Sequence, residues 1–447
     1  MHAVEQLGER VTRPGSPTFE EATRLEFAGE PRVPSAVVRA SSTDDVVAAV
    51  RAAQEDGLPL AVRTGGHSYG RHSLAEGGLV LDTRLMDGVE IDAAARVGRA
   101  QGGVSAGTYT VAAAEHGLAT GFGDTKTVGV AGLVLGGGIG FLSRRDGLTV
   151  DNLLAAEVVL ADGTVVVADA DRHPDLFWAL RGGGGNFGVV TSMSFRLVPT
   201  STVVGGFLAF EASPETLEAL VAAVRAAPDE LSAMVNVMRT PPVPFLPEEM
   251  HGATAIMAIV CWSGAPEEAE RALAPLRNAG SVLADMVSEQ PYAAMIEGPP
   301  NAGDVVYPAV TTGFADTMDA SWSRRAVEAV TAAETPMAVV NLRPMGGAVA
   351  RVPSEATAFA HRSRGVMTTV AALYPDPALS PVAQAWAATT GSELGLAGAG
   401  YVNFMAGATT EDVAAAYPGE TLARLREVKR AYDPDNVFRS NLNISPA

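Results

Sequence analysis

Arg63-Thr64-Gly65-Gly66-His67-Ser68-Tyr69-Gly70 follows the short apolar run Leu58 to Val62 and brackets a lone histidine with glycines. A run of that length reads as a buried strand, which leads directly into the glycine loop. Loops of small residues let backbone approach a ligand closely. The histidine has three readings: a solvated turn residue, a metal ligand, or an imidazole nucleophile held beside a bound electrophile. No second His, Cys or carboxylate stands at ligand spacing nearby, so no metal is expected.

Helix and strand signals alternate around this loop. Ser42 and Asp45 have capping-box spacing, and Val46, Val47, Ala49 and Val50 continue with helical spacing until Gly57. Residues 79–82 read as a strand, 89–92 with 96–100 as a hairpin, and 105–116 as a helix ended by Gly117. Ala161-Asp162-Gly163 sets a second hairpin between 156–160 and 164–168, because Asp-Gly tolerates positive φ. A helix over 174–180 and a strand over 187–197 close this first unit near Pro199.

Further on the rhythm changes. Strand patterns at 203–210, 231–238, 254–262 and 281–287 enclose helical patterns at 214–227 and 266–279, giving β-α-β-β-α-β. Helices over 320–333 and 380–394, with strands over 337–342 and 366–374, extend it into an antiparallel sheet with helices on one face.

Two other glycine clusters accompany the first. Gly183-Gly184-Gly185-Asn186-Phe187-Gly188 fits G-x-G-x-x-G, but a helix precedes it and a strand follows. That is the reverse of the strand-to-helix turn of a nicotinamide site. Val128 to Gly140 offers a line of backbone with few side chains, suited either to tight packing or to a large flat ligand with phosphates. Three such clusters in one unit favour the ligand.

The 447 residues predict two or three domains, and 47% apolar against 19% charged residues supply a sizeable core. A net charge of −19 argues against nucleic acid and anionic membrane surfaces as partners. The single cysteine, Cys261, lies in an apolar run and reads as a buried inert thiol. No targeting pattern and no apolar stretch of spanning length is present, so cytoplasmic residence is expected.

Four more segments complete the pattern: Asp146-Gly147-Leu148-Thr149-Val150-Asp151-Asn152, Asp175-Leu176-Phe177-Trp178-Ala179-Leu180-Arg181 through Thr191, Tyr432-Asp433-Pro434-Asp435-Asn436-Val437-Phe438, and Asn441-Leu442-Asn443-Ile444. With the 63–70 and 127–140 loops, they resemble the berberine-bridge-enzyme-like FAD-linked oxidases. These share the vanillyl-alcohol-oxidase-type FAD-binding fold with the 6-hydroxynicotine oxidases. The resemblance runs from about residue 33 to 200 and from about 340 to the end. It implies an α+β chain: an FAD-binding domain over 1–200, an inserted antiparallel-sheet-and-helix substrate domain over 201–400, and a segment over 401–447 that completes the first.

By the same resemblance, His67 carries FAD through the flavin 8α-methyl. The rest of the cofactor site is Arg63, Thr64, Gly65, Gly66, Ser68, Tyr69, Gly70, Thr125, Val128, Gly129, Gly132, Gly136, Gly137, Gly138, Gly140, Gly188, Val189, Val190, Asn441 and Asn443. Thr125 stands where some relatives have a second attaching cysteine, which excludes a second bond. Val128 holds the place of an oxygen-gating residue, and its small side chain fits an oxidase. In Tyr401-Val402-Asn403-Phe404 a tyrosine common in relatives is replaced by Phe404, leaving Tyr401 as the catalytic candidate, with Tyr307, His361 and Tyr374 behind it. The implied activity is hydride transfer from an alcohol or amine carbon of a small molecule, in secondary or catabolic metabolism, with O2 reoxidising the flavin to give H2O2. The alternatives are an amine oxidase like the 6-hydroxynicotine enzymes and a flavin-carrying protein without turnover. Homo-oligomerisation stays open.

Overall fold

A computed structural model describes residues 2–240, 242, 248–296, 305–396, 398–407 and 409–446. Its first sheet runs in the order Val11–Thr12, Ala36–Arg39, Leu79–Asp82, Leu60–Arg63, and the last three strands are parallel. The crossover is the helix Thr43–Glu55, whose buried stripe of Val46, Ala49, Val50 and Ala53 packs on the sheet. Ser42 Oγ accepts from the Asp45 N–H, as a capping residue does. Asp45 itself turns back one residue further, to the Ser41 N–H.

The second sheet is antiparallel, in the order Val89–Asp92, Val97–Gln101, Val189–Arg196, Leu153–Val159, Val165–Asp169. Gly163, at φ +79°, makes the turn between the last two. Against this sheet lies the largest core cluster. It includes an edge-to-face triangle of Tyr109, Phe122 and Phe195 with centroids 5.0 to 5.7 Å apart, each pair adding about 1 kcal/mol beyond area burial.

The third sheet follows the order Val282–Asp285, Thr202–Glu211, Thr254–Trp262, Leu231–Arg239, Met337–Pro344, Val366–Tyr374, Tyr307–Ala315. Its first four strands have the 4-1-3-2 order of a split βαβ sandwich. The edge strand Tyr307–Ala315 lacked a readable alternation, since Thr311, Thr312 and Gly313 interrupt it. Helices Pro214–Ala226, Ala269–Arg277, Ala320–Thr331 and Ser380–Glu393 cover one face through Leu217, Leu220, Leu273, Trp322 and Ala383. Met234 and Cys261 on the other face meet Phe141 and Leu142 of the N-terminal part. Burial pushes the Cys261 thiol up to about 12, so it is inert. Among the described residues no helix is long and apolar enough to cross a membrane, and no group of His, Cys, Asp and Glu could hold a metal ion.

The chain returns to the first part through residues 400–446. Lys429, fully buried, donates to Asp433 Oδ2 at 2.6 Å and to the Asn186 and Phe438 carbonyls at 2.7 and 3.0 Å. Asp433 accepts in turn from the N–H groups of Val437 and Phe438. All three ammonium protons are matched, which makes this buried pair tolerable and ties the C-terminal segment to the 183–188 loop.

Candidate functional site

A cavity of 490 Å³ opens where the three glycine clusters and residues 401–404 and 438–442 converge. The apolar strand Leu60–Arg63 delivers the first loop to it. Gly66 takes φ +77°, which a side chain would resist, whereas Gly65 is required for closeness: its missing Cβ would overlap the Gly129 nitrogen. Thr64, Gly65, Gly66, His67, Ser68, Tyr69, Thr125, Val128, Gly129, Gly132, Gly188, Val189, Val190, Tyr401 and Asn441 all line the cavity.

Arg63, Gly70, Gly136, Gly137, Gly138, Gly140 and Asn443 are not among its lining residues. The buried Arg63 guanidinium donates to the Glu21, Ala22 and Arg24 carbonyls and holds an N-terminal segment over the loop. Gly70 packs on His72. The 129–140 cluster is not a bare line of backbone, because residues Val130–Leu135 form a helix. Val128 and Gly129 before the helix, and Ala131, Gly132, Leu133 and Leu135 on it, line the cavity. The glycines beyond pack against Asn403, Phe359, Thr149 and the Phe122 carbonyl. Tight packing, one of the two expectations for this cluster, therefore holds for that half. Tyr307 and Tyr374 stack on each other with centroids 5.9 Å apart, and His361 is bonded to the Ala415 and Ala416 carbonyls; none of the three lines the cavity.

Burial lowers the His67 pKa below the usual histidine range, against the upward pulls of Glu26 and the Thr127 backbone. A neutral imidazole with a free ring nitrogen is the nucleophilic form. His72, also at the cavity, is brought down to about 4 by burial and by Arg32. Tyr401 is buried, and its hydroxyl oxygen accepts from the Gly138 N–H at 3.1 Å and from Asn403 Nδ2 at 2.9 Å. Burial outweighs both bonds and raises its pKa above 10.

Several lining residues carried no glycine signal. Phe27 stacks on Tyr69 at 4.6 Å, and Tyr69 meets Phe404 edge-on at 5.9 Å. Arg343 Nη2 donates to Asp124 Oδ2 at 2.7 Å, its Nε reaches Asn341 Oδ1 at 3.1 Å, and the guanidinium lies 5.1 Å from the Phe404 centroid. Burial works against the Asp124 carboxylate, but Arg343 and Thr125 hold its pKa below the usual value. Along Met337–Pro344 the polar Asn341 and Arg343 alternate with buried Val340 and Leu342, a period-two signal that could have found Arg343.

Residues 34–169 match the family model of the FAD binding domain, and residues 400–445 match the berberine and berberine-like model. The chain is 33% identical to (R)-6-hydroxynicotine oxidase of Paenarthrobacter nicotinovorans over 433 residues, covering 92% of this chain and 91% of that protein. It superposes on the crystal structure of 6-hydroxy-D-nicotine oxidase from Arthrobacter nicotinovorans with a TM-score of 0.87 at 29% identity, covering 98% of both chains. A glucooligosaccharide oxidase from Acremonium strictum, whose FAD is 6-S-cysteinyl and 8α-N1-histidyl, has the same fold, with a TM-score of 0.85 at 24% identity over 98% of this chain and 97% of that one. The cavity suits FAD, since the Gly65–Gly129 contact clears its wall of side chains and the buried Tyr417 hydroxyl and Asn441 Oδ1 face it without partners among the described residues. An FAD-dependent oxidoreductase of α+β architecture, this chain belongs to the berberine-bridge-enzyme-like FAD-linked oxidases.

Proposed function

We propose that the protein is an FAD-dependent oxidase that holds its cofactor by a single bond to His67 and oxidises an amine or alcohol carbon of a small molecule. The observation that carries this is the convergence of His67, the Gly65–Gly129 contact and Tyr401 on one cavity. Bound FAD supplies the hydride acceptor, and O2 restores it with release of H2O2. Residues 64–69, Val128, Gly129, Gly132, Gly188, Val189, Val190 and Asn441 would hold it, within a unit formed by residues 1–200 and 401–447. Thr125 lines the cavity and carries no thiol, in keeping with one attachment where the glucooligosaccharide oxidase has two.

The amine reading is the better supported. Burial raises the Tyr401 pKa, which favours the phenol as a donor over a base. A neutral amine can give up hydride without first losing a proton, whereas an alcohol requires its hydroxyl proton to be taken. The relative at 33% identity is named for such a substrate. Phe27, Tyr69 and Phe404, with the Asp124–Arg343 pair, would form the substrate end.

Denatured protein should retain flavin fluorescence on a gel, and His67→Ala should release it; free flavin from denatured wild type sinks the attachment. Peroxide release across a panel of amines, alcohols and sugars separates the substrate readings. A yellow protein that no panel member bleaches would favour the carrier without turnover.

A further inference from the structure

Tyr417 is 1% exposed, faces the cavity, and its hydroxyl has no hydrogen-bond partner among the described residues. Asn441 faces the same cavity. Its Nδ2 is engaged by the Gly185 and Phe438 carbonyls at 3.0 and 3.2 Å, which fixes the other end as oxygen, and that Oδ1 is likewise buried and unmatched. The two atoms flank one stretch of backbone. A Cβ on Gly184 would stand 3.5 Å from the Tyr417 oxygen, and one on Gly185 would meet nothing within 4 Å.

Buried polar groups are almost always matched, so two orphans facing one cavity point to a ligand that matches them. Their chemistry is specific. The Tyr417 O–H donates, while the Asn441 carbonyl can only accept. A phosphate presents acceptors alone and would leave Asn441 unmatched. A heterocyclic edge with an N–H beside a carbonyl or ring nitrogen satisfies both. Flavin nucleotides have two such edges, on the isoalloxazine pyrimidine ring and on adenine.

We propose that Tyr417 and Asn441 form a donor and acceptor pair that reads a heterocyclic edge of the bound FAD. The pair is preorganised: Lys429 holds the Asn186 and Phe438 carbonyls, and Asn186 Nδ2 reaches the Leu442 carbonyl at 3.2 Å. The inference rests on FAD occupying this cavity.

Tyr417→Phe removes one oxygen and no packing volume. In the full-length His67→Ala background, where FAD is expected to bind reversibly, Tyr417→Phe should weaken FAD binding roughly fivefold in a fluorescence titration, the share of one hydrogen bond. Parallel titrations with riboflavin and with ADP identify the edge: the arm that loses affinity contains it. Unchanged affinity for FAD overturns the proposal. With His67 intact, the melting temperature gives a second measurement. Tyr417→Phe should leave the apo-protein as stable as before or more so, and narrow the gap between flavin-loaded and apo-protein. An unchanged gap also overturns it. A protein that binds no FAD in either background refutes the cavity assignment beneath, a failure distinct from unchanged affinity.

Discussion

Gly65 and Gly129 meet backbone to backbone: a Cβ on Gly129 would stand 2.5 Å from the Gly65 nitrogen, and one on Gly65 would overlap the Gly129 nitrogen. Two loops more than sixty residues apart thereby become one wall of the cavity. Gly129→Ala should force them apart at a cost of about 1–3 kcal/mol, read as a lower melting temperature of the apo-protein. Gly132 sits one helical turn on, with nothing within 4 Å of its would-be Cβ, and faces the same cavity. Gly132→Ala should leave apo-protein stability unchanged or slightly raised while lowering flavin content. Equal destabilisation by both variants would mean the contact is not what the first glycine serves.

The proposed attachment through His67 would have a pH signature. The nucleophile would be the neutral imidazole, and burial lowers its pKa below the usual histidine range. The neutral fraction therefore persists to lower pH than in a solvated histidine. Covalent incorporation of FAD into apo-protein, followed between roughly pH 5 and 8, should rise with pH and reach half its maximum below 6.5. Glu26 pulls this pKa upward, so Glu26→Gln should move the midpoint further down. A midpoint above 6.5 contradicts the depressed histidine.

Period and punctuation carried most of the fold. The helix Pro174–Leu180 and the strands Thr254–Trp262 and Val366–Tyr374 have the bounds that their patterns predict, because each buries an unbroken apolar face between clear stops. The glycine run from Gly129 to Gly140 misled: glycine is a poor helix former, yet packing at both ends holds Val130–Leu135 helical. Within the site, glycine loops were legible since backbone needs no side chain to act. Asp124, Arg343 and Tyr417 were not, because each acquires its meaning from a partner or a cavity contributed by distant chain.

Tyr401 can be tested as donor against base. Burial raises its pKa above the usual phenol range, so any alkaline limb it causes in the rate profile lies at higher pH than that of a solvated tyrosine. Tyr401→Phe should lower kcat by roughly tenfold or less and leave the profile below pH 10 unchanged. General bases contribute on the order of 10²–10⁴-fold. A loss of that size, with an ionisation vanishing below pH 10, would make Tyr401 the base and restore the alcohol reading. The variant also leaves the Gly138 N–H without its acceptor, so a loss of about 1 kcal/mol in stability should accompany it.

Variants of the Asp124–Arg343 pair would separate the proposed substrate recognition from structural support. Its side chains are 25% and 12% exposed, so solvent screens the pair in part. Arg343→Met leaves the carboxylate without its charged partner, with the Thr125 hydroxyl still donating to it, and should cost about 2 kcal/mol, less than a fully buried pair. Asp124→Asn should cost less, because the remaining guanidinium keeps its bond to Asn341. The double variant Arg343→Met/Asp124→Asn should recover much of the stability lost in Arg343→Met, a positive coupling read from a thermal double-mutant cycle. If the pair also meets substrate, KM rises in the double variant although stability has returned. Recovery of both stability and KM would confine the pair to support of the Thr125 loop, and the aromatic trio of Phe27, Tyr69 and Phe404 would then carry recognition alone.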